Sequence, residues 1–340
     1  MSTLHIDAGH SLTRPHIDAT GRGADKRASM LDAQAWILSE AYAGLQAQAI
    51  GLAEAAGLRH EVRTLAPGAP WRWIAPGLWP APLSVVPDAV RGNLPSVAIG
   101  CGGKGAAVVA ALRRRGVAAV QVQHPRMDPR RFDLVVVNRH DGLTGPNVLV
   151  TRTALHRVTP ERLAEAAATW RTRVADLPRP LVAVLVGGSN GRHRLDQPVG
   201  EVLADQLAEM MRRDHVGLML TPSRRTDPAV VRVLGDRLGK LGAWIWDGAG
   251  NNPYYGMLAL AEVVVVTEDS VSMVSEAVAT AAPVLLAALP GRSRRIEVFH
   301  RALLEEGRVR RFAGRCEVWS TAPLNDTPLA AAELCRRVRL

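Results

Sequence analysis

Short apolar runs recur along the chain, each ended by a polar or glycine-rich cluster and followed by a stretch with helical spacing. The densest is Val263 to Val266, four consecutive valines. A run apolar on both faces is what a central strand of a parallel sheet requires. Thr267, Glu268, Asp269 and Ser270 break it, and Asp269 or Ser270 is placed to cap a helix that turns Val271, Val274, Ala277 and Val278 inward. Residues 283–288 read as the next strand. The same alternation begins at Ala35 to Leu38, followed by a turn around Gly44 and a helix carrying Ile50, Leu52, Ala53 and Ala56. Further strands are expected at 59–65, 96–99, 117–122 and 134–137, with helices over 106–115 and 160–173. Pro178 and Pro180 then interrupt the pattern. It restarts with a strand at 181–186, a helix at 196–213, and strands at 216–220 and 243–246.

Strands alternating with helices predict an α/β protein built on parallel sheets. With 340 residues, two domains are expected. We place them as two Rossmann-like, doubly wound parallel-sheet domains over 32–177 and 178–327, preceded by a polar leader over 1–31 and followed by an amphipathic closing helix over 328–340. The leader holds His5, His10 and His16 without metal-ligand spacing. In the first domain, Trp71, Trp73 and Trp79 fall in one proline-broken stretch with Arg72, a composition suited to a membrane interface or to a loop folded onto the core.

Composition narrows the partners. A formal charge of +10 favours acidic ones, phosphates or an anionic membrane surface. Nucleic acid is not expected, because no recognition motif is present and three Phe and three Tyr leave little for base stacking. Cys101, Cys316 and Cys335 lie too far apart for a disulfide framework or a zinc site. No apolar run is long enough to span a bilayer, so the expected location is the cytoplasm, peripheral at the inner face of the membrane.

Candidate chemistry gathers at strand ends, where open α/β sheets bind ligands. Gly187, Gly188 and Ser189 follow a fully apolar strand and form the stronger of two glycine loops; the other runs from Gly100 to Gly105. Ser270 and Ser272 open a helix whose N-terminal N–H groups suit an anion, and Glu276, further along it, suits a ribose hydroxyl. Arg224 and Arg225 follow another strand and either is placed to pair a phosphate; we favour Arg224. Gln123-His124-Pro125-Arg126 and Arg139-His140-Asp141 end two strands of the first half, and a polar loop from Asp247 to Asn252 follows Trp246.

These residues resemble the mitochondrial-fission "elongated mitochondria" family. The likeness is carried by Ser189 to Arg194, Thr-Pro-Ser-Arg-Arg-Thr at 221–226, Trp246-Asp247-Gly248 with Asn252-Pro253, and the segment 265–277, together with Gly44, Gln48, Ile99-Gly100, 123–126 and 139–141. More distantly the layout is similar to GT-B glycosyltransferases, such as the peptidoglycan enzyme that transfers N-acetylglucosamine. That resemblance implies two domains facing a cleft. The second would bind a nucleotide-sugar through Gly187, Gly188, Ser189, Arg224, Trp246, Asn252, Asp269, Ser270, Ser272 and Glu276, with Gly188, Ser189, Arg224 and Ser270 at the diphosphate, Glu276 on the ribose, and the strand ending at Trp246 at the base. The first would hold the acceptor with Gly44, Gln48, Gly100, Arg126 and His140. Asp141 or His124 would act as the base. No metal and no cofactor are implied, the nucleotide-sugar being a substrate. The transferase carries a catalytic histidine in its first glycine turn, whereas this chain reads Ser39 to Leu45 without one. A scaffold or membrane-docking protein on the same fold, and a nucleotide-sugar epimerase, are therefore the alternative readings.

Overall fold

The computed structural model describes residues 34–338. The leader over 1–31 and the terminal Arg339 of the closing helix lie outside the described residues. Two six-stranded, wholly parallel sheets carry the chain. The first contains β1 (Gln34–Ser39), β2 (Arg59–Thr64), β3 (Val97–Cys101), β4 (Ala118–Val122), β5 (Leu134–Asn138) and β6 (Val148–Thr151), in the order β2-β1-β3-β4-β5-β6. The second contains β7 (Leu181–Val186), β8 (Gly217–Pro222), β9 (Trp244–Ile245), β10 (Val263–Thr267), β11 (Val284–Ala287) and β12 (Val309–Arg311), in the order β12-β11-β10-β7-β8-β9. Each order reverses once, at β1/β3 and at β7/β10. Such reversals open a crevice at the carboxyl ends of the strands.

Helices connect the strands. They are α1 (Ala43–Ala55), a short α2 (Pro82–Val85), α3 (Gly102–Arg113), α4 (Pro160–Trp170), α5 (Gln197–Asp214), α6 (Pro228–Leu238), α7 (Tyr254–Leu260), α8 (Val271–Val278), α9 (Arg294–Glu305) and α10 (Thr327–Val338). Several start where the sequence supplies a cap. Asp196 accepts from Val199 N–H at 3.3 Å ahead of α5, Asp227 from Ala229 N–H at 2.8 Å ahead of α6, and Ser270 from Met273 N–H at 3.3 Å ahead of α8.

Period-two alternation decides which layer each strand residue joins. Val182, Val184 and Val186 meet Leu203, Leu207, Val230 and Leu234 of α5 and α6, while Leu181, Ala183 and Leu185 meet Met257, Val274, Val278 and Phe299 on the opposite face. In the first sheet Ala35 and Ile37 pack with α1, and Trp36 and Leu38 with α3, Trp79 and Phe132.

The chain crosses between the sheets twice, and the domain limits need one correction. Residues up to 177 were placed with the first sheet, but α4 packs against α7 of the second, with Trp170 on Trp244 at a ring separation of 5.6 Å. The apolar stripe of α4 defines a buried face without specifying which core receives it. In return α10 lies on α1, and Ala330, Ala331 and Leu334 complete the core of the first sheet. The crossings are pinned by buried polar pairs: Arg152 N–H donates to Asp326 Oδ2 at 2.7 Å, Ala154 N–H to Ser275 Oγ at 3.0 Å, and His156 N–H to Thr327 Oγ1 at 3.1 Å.

The tryptophan stretch divides. Trp79 is 4% exposed, its indole N–H donating to Ile74 O at 3.2 Å, and Trp71 is half-buried. Trp73 and Leu78 are 70% and 74% exposed. A membrane face built on all three tryptophans is therefore corrected to one in which Trp79 belongs to the core, because the flanking prolines turn its ring back onto β1 and α3.

Candidate functional site in the interdomain cleft

The carboxyl ends of both sheets face a cavity of about 580 Å³. From the first domain it is lined by Gln48 of α1, Gln123 after β4, and Asn138, His140 and Asp141 after β5. From the second come Asn190 and Arg192 after β7, Arg225 after β8, Asp269 to Ser272 after β10, and Ser293 to Ile296 after β11. The β7/β10 reversal thus sits at the cavity floor.

The first two N–H groups of the glycine loop after β7 are taken by protein partners. Gly187 N–H donates to Thr267 Oγ1 at 2.7 Å and Gly188 N–H to Asp269 Oδ2 at 3.1 Å. Thr267 Oγ1 donates in turn to Asp269 Oδ1 at 2.8 Å. A Cβ on Gly187 would overlap the Asp269 carboxylate, and one on Gly188 would overlap the Arg225 carbonyl. Both glycines are needed so that the β8 loop and the β10 turn can close on β7. Ser189 Oγ accepts from Leu195 N–H at 2.8 Å, and Asn190 Oδ1 accepts from Arg192 and His193 N–H, each at 2.8 Å. Gly187, Gly188 and Ser189 therefore shape the floor, and the backbone donors of the two glycines are already engaged.

What remains for an anion is the start of α8 and a set of guanidinium groups. Ser270 is spent on capping, whereas Ser272, in the first turn, borders the cavity. Asp269, a candidate contact for the nucleotide-sugar, has a fully buried carboxylate that receives Arg225 Nη2 at 2.9 Å and acts as the anchor of the floor. The arginine at the cavity is Arg225, not Arg224. Adjacent residues in a turn point apart, and Ser223, bonded back through its N–H to Val186 O at 2.8 Å, fixes which one faces inward.

Glu276 lies behind the cavity wall, buried, and accepts from Tyr254 Oη at 2.5 Å. Burial raises its pKa to about 7, and the tyrosine hydrogen bond opposes part of that rise. Trp246 donates through Nε1 to Ala249 O at 2.9 Å, and Asn252 Oδ1 accepts from Tyr254 N–H at 2.9 Å at the start of α7, so both hold the loop after β9.

The two expected bases are both committed elsewhere. His124 Nδ1 accepts from Arg126 N–H at 2.9 Å inside a turn where Gln123 and Arg126 have positive φ, so Gln123 reaches the cavity instead. The Asp141 side chain is 3% exposed, accepts from Asn138 N–H at 3.2 Å, and is ion-paired with Arg295 of α9 across the cleft. His140, placed among the acceptor residues, is the titratable group left in the wall. Among the described residues its Nδ1 has no hydrogen-bond partner, and burial lowers its pKa, with Asp141 opposing and Arg295 adding to the shift.

Gly44 faces the second domain directly, since a Cβ there would stand 3.1 Å from Ser272 Oγ. Gln48 Nε2 donates to Gly44 O at 3.0 Å. Gly100 is a packing glycine, its missing Cβ leaving room for Gln121 and Gly105. Leu45 packs within 3.3 Å of where a Gly102 Cβ would lie, so this turn carries an apolar contact.

A model of the family described as mitochondrial fission ELM1 matches residues 43–338. The chain belongs to the mitochondrial fission ELM1 family. Mitochondrial fission protein ELM1 of Arabidopsis thaliana is 34% identical over 274 residues, which cover 72% of this chain and 64% of that protein. The chain thus spans less than two thirds of its curated relative. Among solved structures, a UDP-GlcNAc 2-epimerase of Methanocaldococcus jannaschii in complex with UDP-GlcNAc and UDP superposes with a TM-score of 0.56 at 12% identity, over 89% of this chain and 98% of that one. A glycotransferase of kitacinnamycin gives 0.51 at 14% identity, over 90% and 95%. This member of the ELM1 family therefore has the two-domain fold shared by GT-B glycosyltransferases and these epimerases.

Asn190 and Arg192 carry the family likeness in the sequence without a binding role being assigned to them, and residues 293–295 are not marked by it at all. The logic applied after β10 finds the last of these when carried to β11, which also ends in a loop with a serine opening a helix, here flanked by arginines.

Proposed function

We propose that the cleft binds a nucleoside-diphosphate sugar and that the protein transfers the sugar, without a metal, to an acceptor held by the first domain. The observation that supports this reading is the convergence of two helix starts, α8 and α9, with Arg192, Arg225, Arg294 and Arg295 on one cavity at the β7/β10 reversal. Positive charge placed there offsets the charge that develops on a leaving diphosphate. Displacement at the anomeric carbon also needs a base on the acceptor hydroxyl. His140 fills that role in place of Asp141 and His124, since its depressed pKa keeps the ring neutral and able to take a proton. Glu276 reaches a ribose only if Tyr254 yields its hydrogen bond.

Ser272→Asp tests the donor site. An acid in the first turn of α8 suits the helix dipole, so the fold is retained while the new charge repels a diphosphate. In calorimetric titrations with UDP, GDP, ADP and CMP, at least one nucleotide should bind the wild type and bind the variant at least about tenfold more weakly. Equal affinities would remove the model.

A second reading has its own support. The two carboxylates lining the cavity, Asp141 and Asp269, are both locked in ion pairs. A binding protein without turnover would look the same, and release of UDP from UDP-sugars over hours, scored for wild type and His140→Gln, separates the two. Among the described residues no helix is long and apolar enough to cross a membrane. In either reading Trp73, with Arg72 stacked at 4.0 Å, and Leu78 form the face by which the protein would meet an anionic bilayer. Loss of liposome co-sedimentation in Trp73→Ala/Leu78→Ala is the expected result.

A further inference from the structure

The cavity has a second cationic corner, one strand away from the α8 start. The loop after β7 and the loop after β11 are joined there: His193 bridges to Gly291, Arg194 N–H donates to Pro290 O at 2.9 Å, and Arg292 N–H donates to Arg192 O at 3.1 Å. Gly291 has φ of +127° and no space for a side chain, because a Cβ would overlap the Arg192 carbonyl. The two loops therefore hold Arg192 and Arg294 in one place.

Neighbouring arginines are neutralised and these two are not. Arg194 pairs with Asp196 at 3.3 Å, Arg292 with Glu297 at 2.9 Å, and Arg295 with Asp141. Arg225 is held by Asp269. Among the described residues the guanidinium groups of Arg192 and Arg294 have no carboxylate partner, and both line the cavity. The start of α9 is open as well. Ser293 makes no side-chain cap bond, in contrast to Ser270, and the N–H groups of a first helical turn have no partner within the helix. Ser293 to Ile296 all border the cavity. From the first domain, His140, with its side chain 9% exposed, forms part of the same wall and leaves Nδ1 without a hydrogen-bond partner.

We propose that the ligand carries a second anionic group, a carboxylate or a phosphate, separate from the diphosphate and seated at the start of α9 between Arg192 and Arg294. This rests on the donor-site reading above and narrows it. The starts of α8 and α9 follow separate strands, β10 and β11, so one diphosphate at α8 leaves the α9 corner uncompensated. A neutral sugar would offer the two exposed guanidinium groups only hydroxyls, whereas an anion pairs with them and with the helix start together. The second charge has two sources, an acidic sugar on the donor or a phosphate on the acceptor.

Calorimetry separates these sources. UDP, UDP-glucose and UDP-glucuronate are titrated into the wild type and into the Arg192→Ala/Arg294→Ala variant, and inorganic phosphate is titrated into each protein saturated with UDP. An acidic donor sugar predicts that UDP-glucuronate binds at least about tenfold more tightly than UDP-glucose. An acceptor phosphate predicts instead that phosphate binds the UDP-saturated protein. Either gain should vanish in the double variant: UDP-glucuronate and UDP-glucose then bind it with equal affinity, or phosphate no longer binds it in the presence of UDP. Both arginines are exposed and unpaired, and an unchanged melting curve confirms that the variant is folded. Equal affinity for the two sugars together with no phosphate binding overturns the second anion alone, as does a gain that survives in the variant. If another of the four nucleotides binds in place of UDP, its neutral and acidic sugars replace those of UDP in the same titrations; failure of UDP, GDP, ADP and CMP alike to bind overturns the donor site and this inference together.

Discussion

Arg225 and Asp269 are 44 residues apart in sequence and 2.9 Å apart in the structure, and their pair closes the β8 loop over the β10 turn. The two ends are not equivalent. Asp269 is fully buried and also receives Gly188 N–H and Thr267 Oγ1, whereas Arg225 is nearly half exposed. Asp269→Ala strands a backbone N–H and a hydroxyl in the interior, and the expected loss is about 3 kcal/mol, the scale for breaking a buried pair. Arg225→Ala should cost about 1 kcal/mol, because water replaces much of what it loses. Urea unfolding of the two variants checks the order, and a larger loss at Arg225 would contradict it.

The glycine loop gives a second contrast. Gly187→Ala and Gly188→Ala put a methyl into the Asp269 carboxylate and the Arg225 carbonyl, while nothing lies within 4 Å of a Cβ on Gly191. Each of the first two should lower stability by about 1–3 kcal/mol, as overpacking does. Gly191→Ala should be close to neutral. If the loop were open for a phosphate to approach, all three variants would fold equally and only nucleotide affinity would fall.

The parallel α/β architecture was legible because Leu181 to Val186 and Val263 to Val266 are apolar on both faces and end in turn-forming clusters. The cluster from Asp269 to Ser272 was legible for the same reason. Roles within it were not. Gly187 and Gly188 read as phosphate-binding from their place after a strand, but the atom each makes room for belongs to a residue far along the chain. Asp141 reads as a free base at a strand end, and the Arg295 that engages it is 154 positions away. Trp79 and Trp73 lie in the same proline-broken stretch, and only the path of the chain across β1 and α3 separates a buried ring from an exposed one.

Arg308 is a buried guanidinium without a carboxylate, donating to Val278 O at 2.8 Å, Thr280 O at 2.6 Å and Ala282 O at 3.3 Å. These carbonyls lie at and just beyond the end of α8. Burial lowers its pKa to about 10, so it stays charged at neutral pH and opposes the negative end of the helix dipole. Arg308→Met keeps most of the volume and removes the donors. The expected cost is about 3 kcal/mol, set by the carbonyls left unsatisfied. Because α8 begins at the cavity, the variant should also weaken nucleotide binding, and a destabilised variant with unchanged affinity would show that the two ends of the helix are not coupled.

Glu276 ties stability to pH with a definite sign. Its pKa is raised by burial from 4.5 to about 7 in the folded protein, so between those values the folded state binds more protons than the unfolded one. Stability therefore falls as pH rises through that window. The contribution is fully present below about pH 4.5 and lost above about pH 7, amounting to about 3 kcal/mol. Glu276→Gln cannot titrate and should remove this part of the slope, leaving the variant more stable than wild type at pH 8. Tyr254→Phe supplies the internal check. Its hydroxyl stabilises the charged carboxylate, so its removal should raise the Glu276 pKa further and extend the loss of stability above pH 7. Chevron or melting data from pH 4.5 to 8.5 for the three proteins decide the matter. Parallel curves for wild type and Glu276→Gln would mean that the carboxylate is already charged throughout the range and is solvated in a way the buried Tyr254 pair does not allow.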